Sequence, residues 1–213
     1  MKKTFVLVVL FALPIVAYLF FSSGVNNFAK LPVVTQNIAS VDSFKTLDGT
    51  PVSFKDHITI LSFFGNEPSQ MQGNMFNVNE KIYKRYSEFQ DFQFVVVLPE
   101  GNQEEAKEIL DKLEQYGDTK KWRFAFGTSA QINNLFQSLQ TNLKLNSDLA
   151  TPFAFIIDKD VNLRGRDDEE KPIHYGYDTA SVGEISDKFN DDIKVILAEY
   201  RLALKKYKAD RKN

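Results

Sequence analysis

The chain has 213 residues, 43% of them hydrophobic and 25% charged, with 26 basic against 28 acidic side chains and a net charge of −2. That is room for one domain of about 150–180 residues with appendages, and without a basic excess it argues against a nucleic-acid binder. Cysteine is absent, which excludes disulfides, thiol chemistry and a lipidated cysteine anchor.

Lys2 and Lys3 precede Thr4 to Phe21, eighteen residues without a charge. As a helix they would span about 27 Å, enough for a bilayer core, and Pro14 is tolerated in such helices. Residues 1–24 are therefore expected to be an N-terminal transmembrane anchor. A cleaved signal is the alternative, with Ser22-Ser23-Gly24 as a weak cleavage site. The two lysines place the N-terminus in the cytoplasm and the rest on the extracytoplasmic, periplasmic side. Without those lysines the remainder carries 24 basic against 28 acidic residues, or −4. An exported domain free of disulfides must rely on its core, and nineteen phenylalanines and eight tyrosines can supply one.

Residues 25–40 read as a linker, residues 41–206 as the domain and 207–213 as a tail. Ser43–Thr46 and Val52–Phe54 flank Leu47-Asp48-Gly49-Thr50-Pro51, which predicts a hairpin. Ile58 to Phe64 is a continuous apolar run, predicting a strand buried on both faces. Gly65 breaks it, and Asn66-Glu67-Pro68-Ser69-Gln70 opens a helix with proline in its first turn.

Further on, Val78, Ile82, Tyr86 and Phe89 predict a helix over 77–89. Phe92 to Leu98 predicts a second buried strand, and residues 103–116 an amphipathic helix with its acids early. A strand is expected over Trp122 to Phe126, then a helix capped by Ser129. Thr151-Pro152 leads into a strand from Phe153 to Asp158, a tight turn, and a second strand at 161–164. Asp167 to Lys171 reads as an exposed acidic loop or, less simply, a cation or partner site. Ile185, Phe189, Ile193, Ile196, Tyr200 and Leu204 form one stripe of a helix over 182–206. A β-α-β unit followed by a hairpin and a last helix is an α/β, thioredoxin-like arrangement.

The stretch Phe63-Phe64-Gly65-Asn66-Glu67-Pro68-Ser69-Gln70-Met71 resembles the Sco/SenC family, membrane-anchored thioredoxin-fold proteins that deliver copper to cytochrome oxidase. The hairpin with Val52-Ser53-Phe54 is similar as well. That family has Cys-Pro-x-x-Cys after a phenylalanine-rich strand; here Pro68 matches, while Glu67 and Met71 stand at the cysteine positions. The resemblance implies a histidine just before the strand led by Pro152, but this chain reads Leu149-Ala150-Thr151. It also implies that Pro152 is cis and faces the loop; the plainer reading is a proline that starts a strand. The chain thus resembles a degenerate member whose site is Glu67, Pro68, Met71 and Pro152.

The expected function is a non-catalytic, membrane-tethered binding or assembly module, with no cofactor, in respiratory-complex or copper-enzyme maturation. Its partners would be the membrane, through the N-terminal helix, and another membrane or exported protein. Asn66–Met71, Pro152 and His174–Tyr177 would form the contact face. The alternative is a copper carrier using Met71, Met75 and Glu67, or a histidine, because thioether sulfur binds Cu(I). Methionines four apart share one helix face, and at that spacing methionine is more often packing. Glu67 at a helix start is favourable by itself, and His57 and His174 hold a metal only if folding joins them. An enzyme built on unfamiliar residues is the third reading.

Overall fold

The computed structural model describes residues 2–22, 30–166 and 175–210. The acidic run 167–171 and His174 lie outside the described residues. The central strand is β3 (Ile58–Phe64), buried along its whole length. It lies parallel to β4 (Phe92–Pro99), which lies parallel to β5 (Trp122–Gly127). On its other side β3 meets β6 (Ala150–Ile157) antiparallel. The sheet is completed by β1 (Val33–Thr35), β2 (Lys45–Thr46) and β7 (Leu163–Arg164), in the order β1-β7-β6-β3-β4-β5-β2, with β8 (Tyr177–Asp178) against β6.

The two-faced burial read from the apolar runs is what the alternation of side chains produces. Ile58, Ile60, Phe92, Phe94, Val96, Phe124 and Ile156 point into one core. Leu61, Phe63, Val95, Val97, Ala125, Phe155 and Ile157 point into the other. The first core is closed by the helices over residues 68–86, α4 (Gln103–Glu114) and the C-terminal helix. The second is closed by α5 (Ser129–Ser138) and the segment from Ile38 to Phe54. Phe63, Phe136 and Phe155 meet edge to face in this second core, the arrangement aromatic quadrupoles prefer.

Several local expectations are corrected. The Asp48-Gly49 turn forms, with Asp48 accepting from the amide and hydroxyl of Thr50, but it does not join a hairpin. β2 pairs instead with β5, Lys45 opposite Phe126. Val52 and Phe54 are 3% and 2% exposed in the second core, because burying them gains more than pairing with two residues of β2 would. The helix of 77–89 begins earlier: a 3-10 turn (Pro68–Met71), α2 (Gln72–Val78), a wider π turn (Asn79–Tyr83) and α3 (Lys84–Tyr86) follow without a break. The cap of α5 is Thr128, not Ser129. Thr128 forms a reciprocal capping box with Gln131, which satisfies two donors where serine one residue later would start inside the helix.

The last helix runs from α6 (Val182–Glu184) through a π turn (Ile185–Phe189) into α7 (Asn190–Asp210). Ile185, Phe189, Ile193 and Ile196 are fully buried on the sheet. At the other end, α1 (Lys2–Ser22) is helical. Among the described residues no helix is long and apolar enough to cross a membrane; in α1 the described side chains run unbroken only from residue 5 to 20.

A buried ion cluster closes one edge. Arg164 donates through Nε to the carbonyl of Leu31 at 2.8 Å, through Nη1 to Asp158 at 3.0 Å and through Nη2 to Glu199 at 2.7 Å. It thereby joins the segment that enters the domain, the β6–β7 turn and α7. Removing Arg164 would leave Asp158, whose side chain is 2% exposed, without its cation.

Candidate functional site

The site is built where β3 ends. Gly65 turns the chain at φ +70°, and a Cβ there would lie 2.2 Å from the carbonyl oxygen of Asp148. The amide of Asn66 donates to that same carbonyl at 2.8 Å. Asn146 holds the opposing loop through the amides of Asp148 and Ala150. Loop 65–71 and residues 146–152 are therefore clamped side by side, which requires glycine at position 65.

Glu67 precedes the first helical turn, and Pro68 at its start is buried while Asn66, Glu67, Ser69 and Gln70 are exposed. Gln70 donates to the Glu67 carboxylate through its side chain and to its carbonyl through the backbone at 3.0 Å. The amide of Ser69 donates to Oε1 of Glu105, at the start of α4, at 3.0 Å. Two carboxylates thus stand at the positive end of the helical run, where they are electrostatically favoured.

Met75 is 1% exposed inside the first core, and Met71 is half-buried against it. Glu67 is in water, so one ion shared by all three would require drawing a thioether out of the core. These residues do not fit a copper site as they stand. Among the described residues no group of three or more histidine, aspartate or glutamate side chains is placed to hold a metal. His57 is at a surface turn, its Nδ1 2.8 Å from the carbonyl of Lys55.

Pro152 is exposed beside the loop, but it is not cis: the described residues contain no cis peptide bond. It sits inside β6, not before it. Phe63 pairs with Thr151 and Ser62 with Ala154, so Pro152 and Phe153 bulge out of the ladder. A bulge accommodates a residue with no N–H to donate. The carbonyl of Pro152 accepts from the amide and hydroxyl of Thr179 at 2.9 and 2.6 Å, and Thr179 in turn accepts from Asn77 of α2 at 3.1 Å.

Of the expected contact segment at 174–177, Tyr177 faces inward. It is 6% exposed, stacks on Phe189 and donates to Asp192 at 2.8 Å. Arg166 donates from Nε to both oxygens of Asp192. Burial, then the Asp192 charge, pushes the Tyr177 phenol well above its ordinary value. A separate depression of about 400 Å³ lies between α5 and residues 141–146, lined in part by Phe136, Gln137, Lys144 and Asn146.

The residues that sequence reading did not single out are Asn146, Asp148, Glu105 and Thr179. Asn146-Ser147-Asp148 carries a turn signature; nothing local marks Glu105, whose partner is 36 residues away.

No protein-family model matches the sequence, and no curated protein matches it. Solved structures do. BsSco, a member of the Sco family of cytochrome c oxidase assembly proteins with a disulfide switch, has 15% identity and a TM-score of 0.53 over 79% of this chain and 94% of its own. A candidate protein disulfide isomerase from Bacteroides thetaiotaomicron has 13% identity and a TM-score of 0.51 over 80% and 95%. Copper-bound ScoI from Arabidopsis thaliana has 15% identity over 76% and 99%, with a TM-score of 0.46. At such identity the first two show the fold: thioredoxin-like, a mixed sheet flanked by helices, here without cysteine.

Proposed function

We propose that this protein is a non-catalytic, membrane-tethered thioredoxin-like module that binds another membrane or exported protein on the extracytoplasmic side. The observation that carries this reading is the replacement at the fold's reactive loop: Glu67 and Met71 flank the Pro68 turn in a chain with no cysteine. The loop is nevertheless clamped by Gly65, Asp148 and Asn146, a rigidity suited to a binding surface. Exposed Asn66, Glu67, Ser69, Gln70 and Pro152 make up that surface.

Tethering by α1 is supported by its consecutive exposed apolar residues from Phe5 to Phe11. They cover every side of a helix, as a lipid-embedded segment requires. The named activities of the similar structures, cytochrome c oxidase assembly and disulfide exchange, favour the first as the setting, since the second needs thiols.

The test is site-specific photocrosslinking in native membranes from Asn66, Ser69 and Gln70, with Lys107 on the outer side of α4 as control. A discrete adduct from the loop positions and none from Lys107 supports the surface. Adducts from the control alone would overturn it.

A further inference from the structure

We infer that the basic end of α7, residues 201–210, binds an anionic lipid surface and orients the domain on the membrane. This deepens the tethered reading and rests on it. In that stretch Arg201, Lys205, Lys206 and Lys208 are set against one acid, Asp210, giving +3, while the rest of the chain has 22 basic against 27 acidic residues, or −5. By net charge the rest of the chain is repelled by an anionic surface and this segment is drawn to it.

Its position supplies the second observation. α7 continues to Asp210, and Glu199, two residues before the basic segment, accepts from the same guanidinium that donates to Leu31. Leu31 lies nine residues beyond Ser22, the end of α1, a separation of at most about 30 Å. The segment therefore starts beside the point where the tether enters the domain.

The staple also sets direction. Arg164 pairs with Ile156, and Ile156 with Ile60 near the start of β3. Loop 65–71 leaves the opposite end of that strand. Docking residues 201–210 on the headgroups turns the loop away from the bilayer, toward a partner.

The absence of native cysteine permits a clean test. The full chain carrying Ala209→Cys or, separately, Ser69→Cys is labelled with a fluorophore and reconstituted in phosphatidylcholine vesicles, with or without one-third phosphatidylglycerol. Quenching by headgroup-spin-labelled lipid is then read. At position 209 it is expected to be at least about threefold stronger with phosphatidylglycerol, and to disappear near 1 M salt and in Lys205→Glu/Lys206→Glu/Lys208→Glu. Position 69 stays unquenched. Equal quenching in both lipids, insensitivity to salt and charge reversal, or no quenching in either, as an acidic protein partner would leave it, overturns the inference. Flotation with pure phosphatidylcholine reports α1 alone. Its failure overturns the tether, while the phosphatidylglycerol and charge-reversal comparison still scores the basic segment.

Discussion

The amide of Ser69 donates to Oε1 of Glu105 at 3.0 Å, so a carboxylate from α4 occupies the helix end at which a thioredoxin-like protein would stabilise a thiolate. That helix end is filled with fixed negative charge from Glu67 and Glu105. Placing a thiol in that field measures it. In Glu67→Cys the introduced thiol should titrate below the ordinary value of about 8.5. Glu105→Gln should lower it further, since a nearby carboxylate favours the neutral thiol. Alkylation rate against pH reads both; an unchanged value in Glu105→Gln would detach Glu105 from the site.

Gly65→Ala is expected to destabilise the domain by at least about 2 kcal/mol, because the site combines a positive φ with backbone in the way. The added Cβ meets the Asp148 carbonyl. Gly49→Ala, at φ +71° with open space around it, should cost about 1 kcal/mol from φ alone. Denaturant midpoints of the two variants separate clash from conformation.

Met75→Leu distinguishes packing from ligation. A nearly volume-conserving change in the core should shift stability by less than about 1.5 kcal/mol. An anaerobic Cu(I) titration against a chromogenic chelator should show no competition before or after the change. Stoichiometric retention lost in Met75→Leu or Met71→Leu would establish the carrier reading instead.

Arg164→Met should cost about 3–5 kcal/mol by leaving Asp158 without its partner. That side chain is 2% exposed. Lys55→Met, whose Asp160 pair is on the surface, should change stability by no more than about 0.5 kcal/mol. Equal losses in thermal unfolding would mean the cluster does not staple Leu31 to α7.

Alkaline pH should unfold the protein through its buried phenols. Burial raises Tyr83, Tyr86 and Tyr177, and raises Tyr200 to about 12. The folded state holds these protons more tightly than the unfolded state. Their contribution is complete below about pH 10 and is lost as pH climbs from there toward the raised values. Phenolate absorbance should lag in the native protein and jump on unfolding. Tyr177→Phe should make stability fall less steeply above pH 10, while costing about 1 kcal/mol at neutral pH for the lost Asp192 bond.

The sequence by itself determined the elements whose reasons are local. The apolar run at Ile58–Phe64, the proline opening at Pro68 and the stripe from Ile185 to Ile196 each state their burial in their own periodicity. It also determined the chemistry that is missing, since a chain without cysteine has no thiol in any fold. Only the tertiary structure decided which strand took β2, which face of α4 brought Glu105 to Ser69, that Pro152 sits in a trans bulge and that Arg164 gathers Leu31, Asp158 and Glu199. Apart from Arg164–Asp158, those pairings join residues 27 to 133 positions apart. Each is set by which surfaces remain to be buried and which polar groups remain to be satisfied once the sheet has formed, a competition that no local window contains.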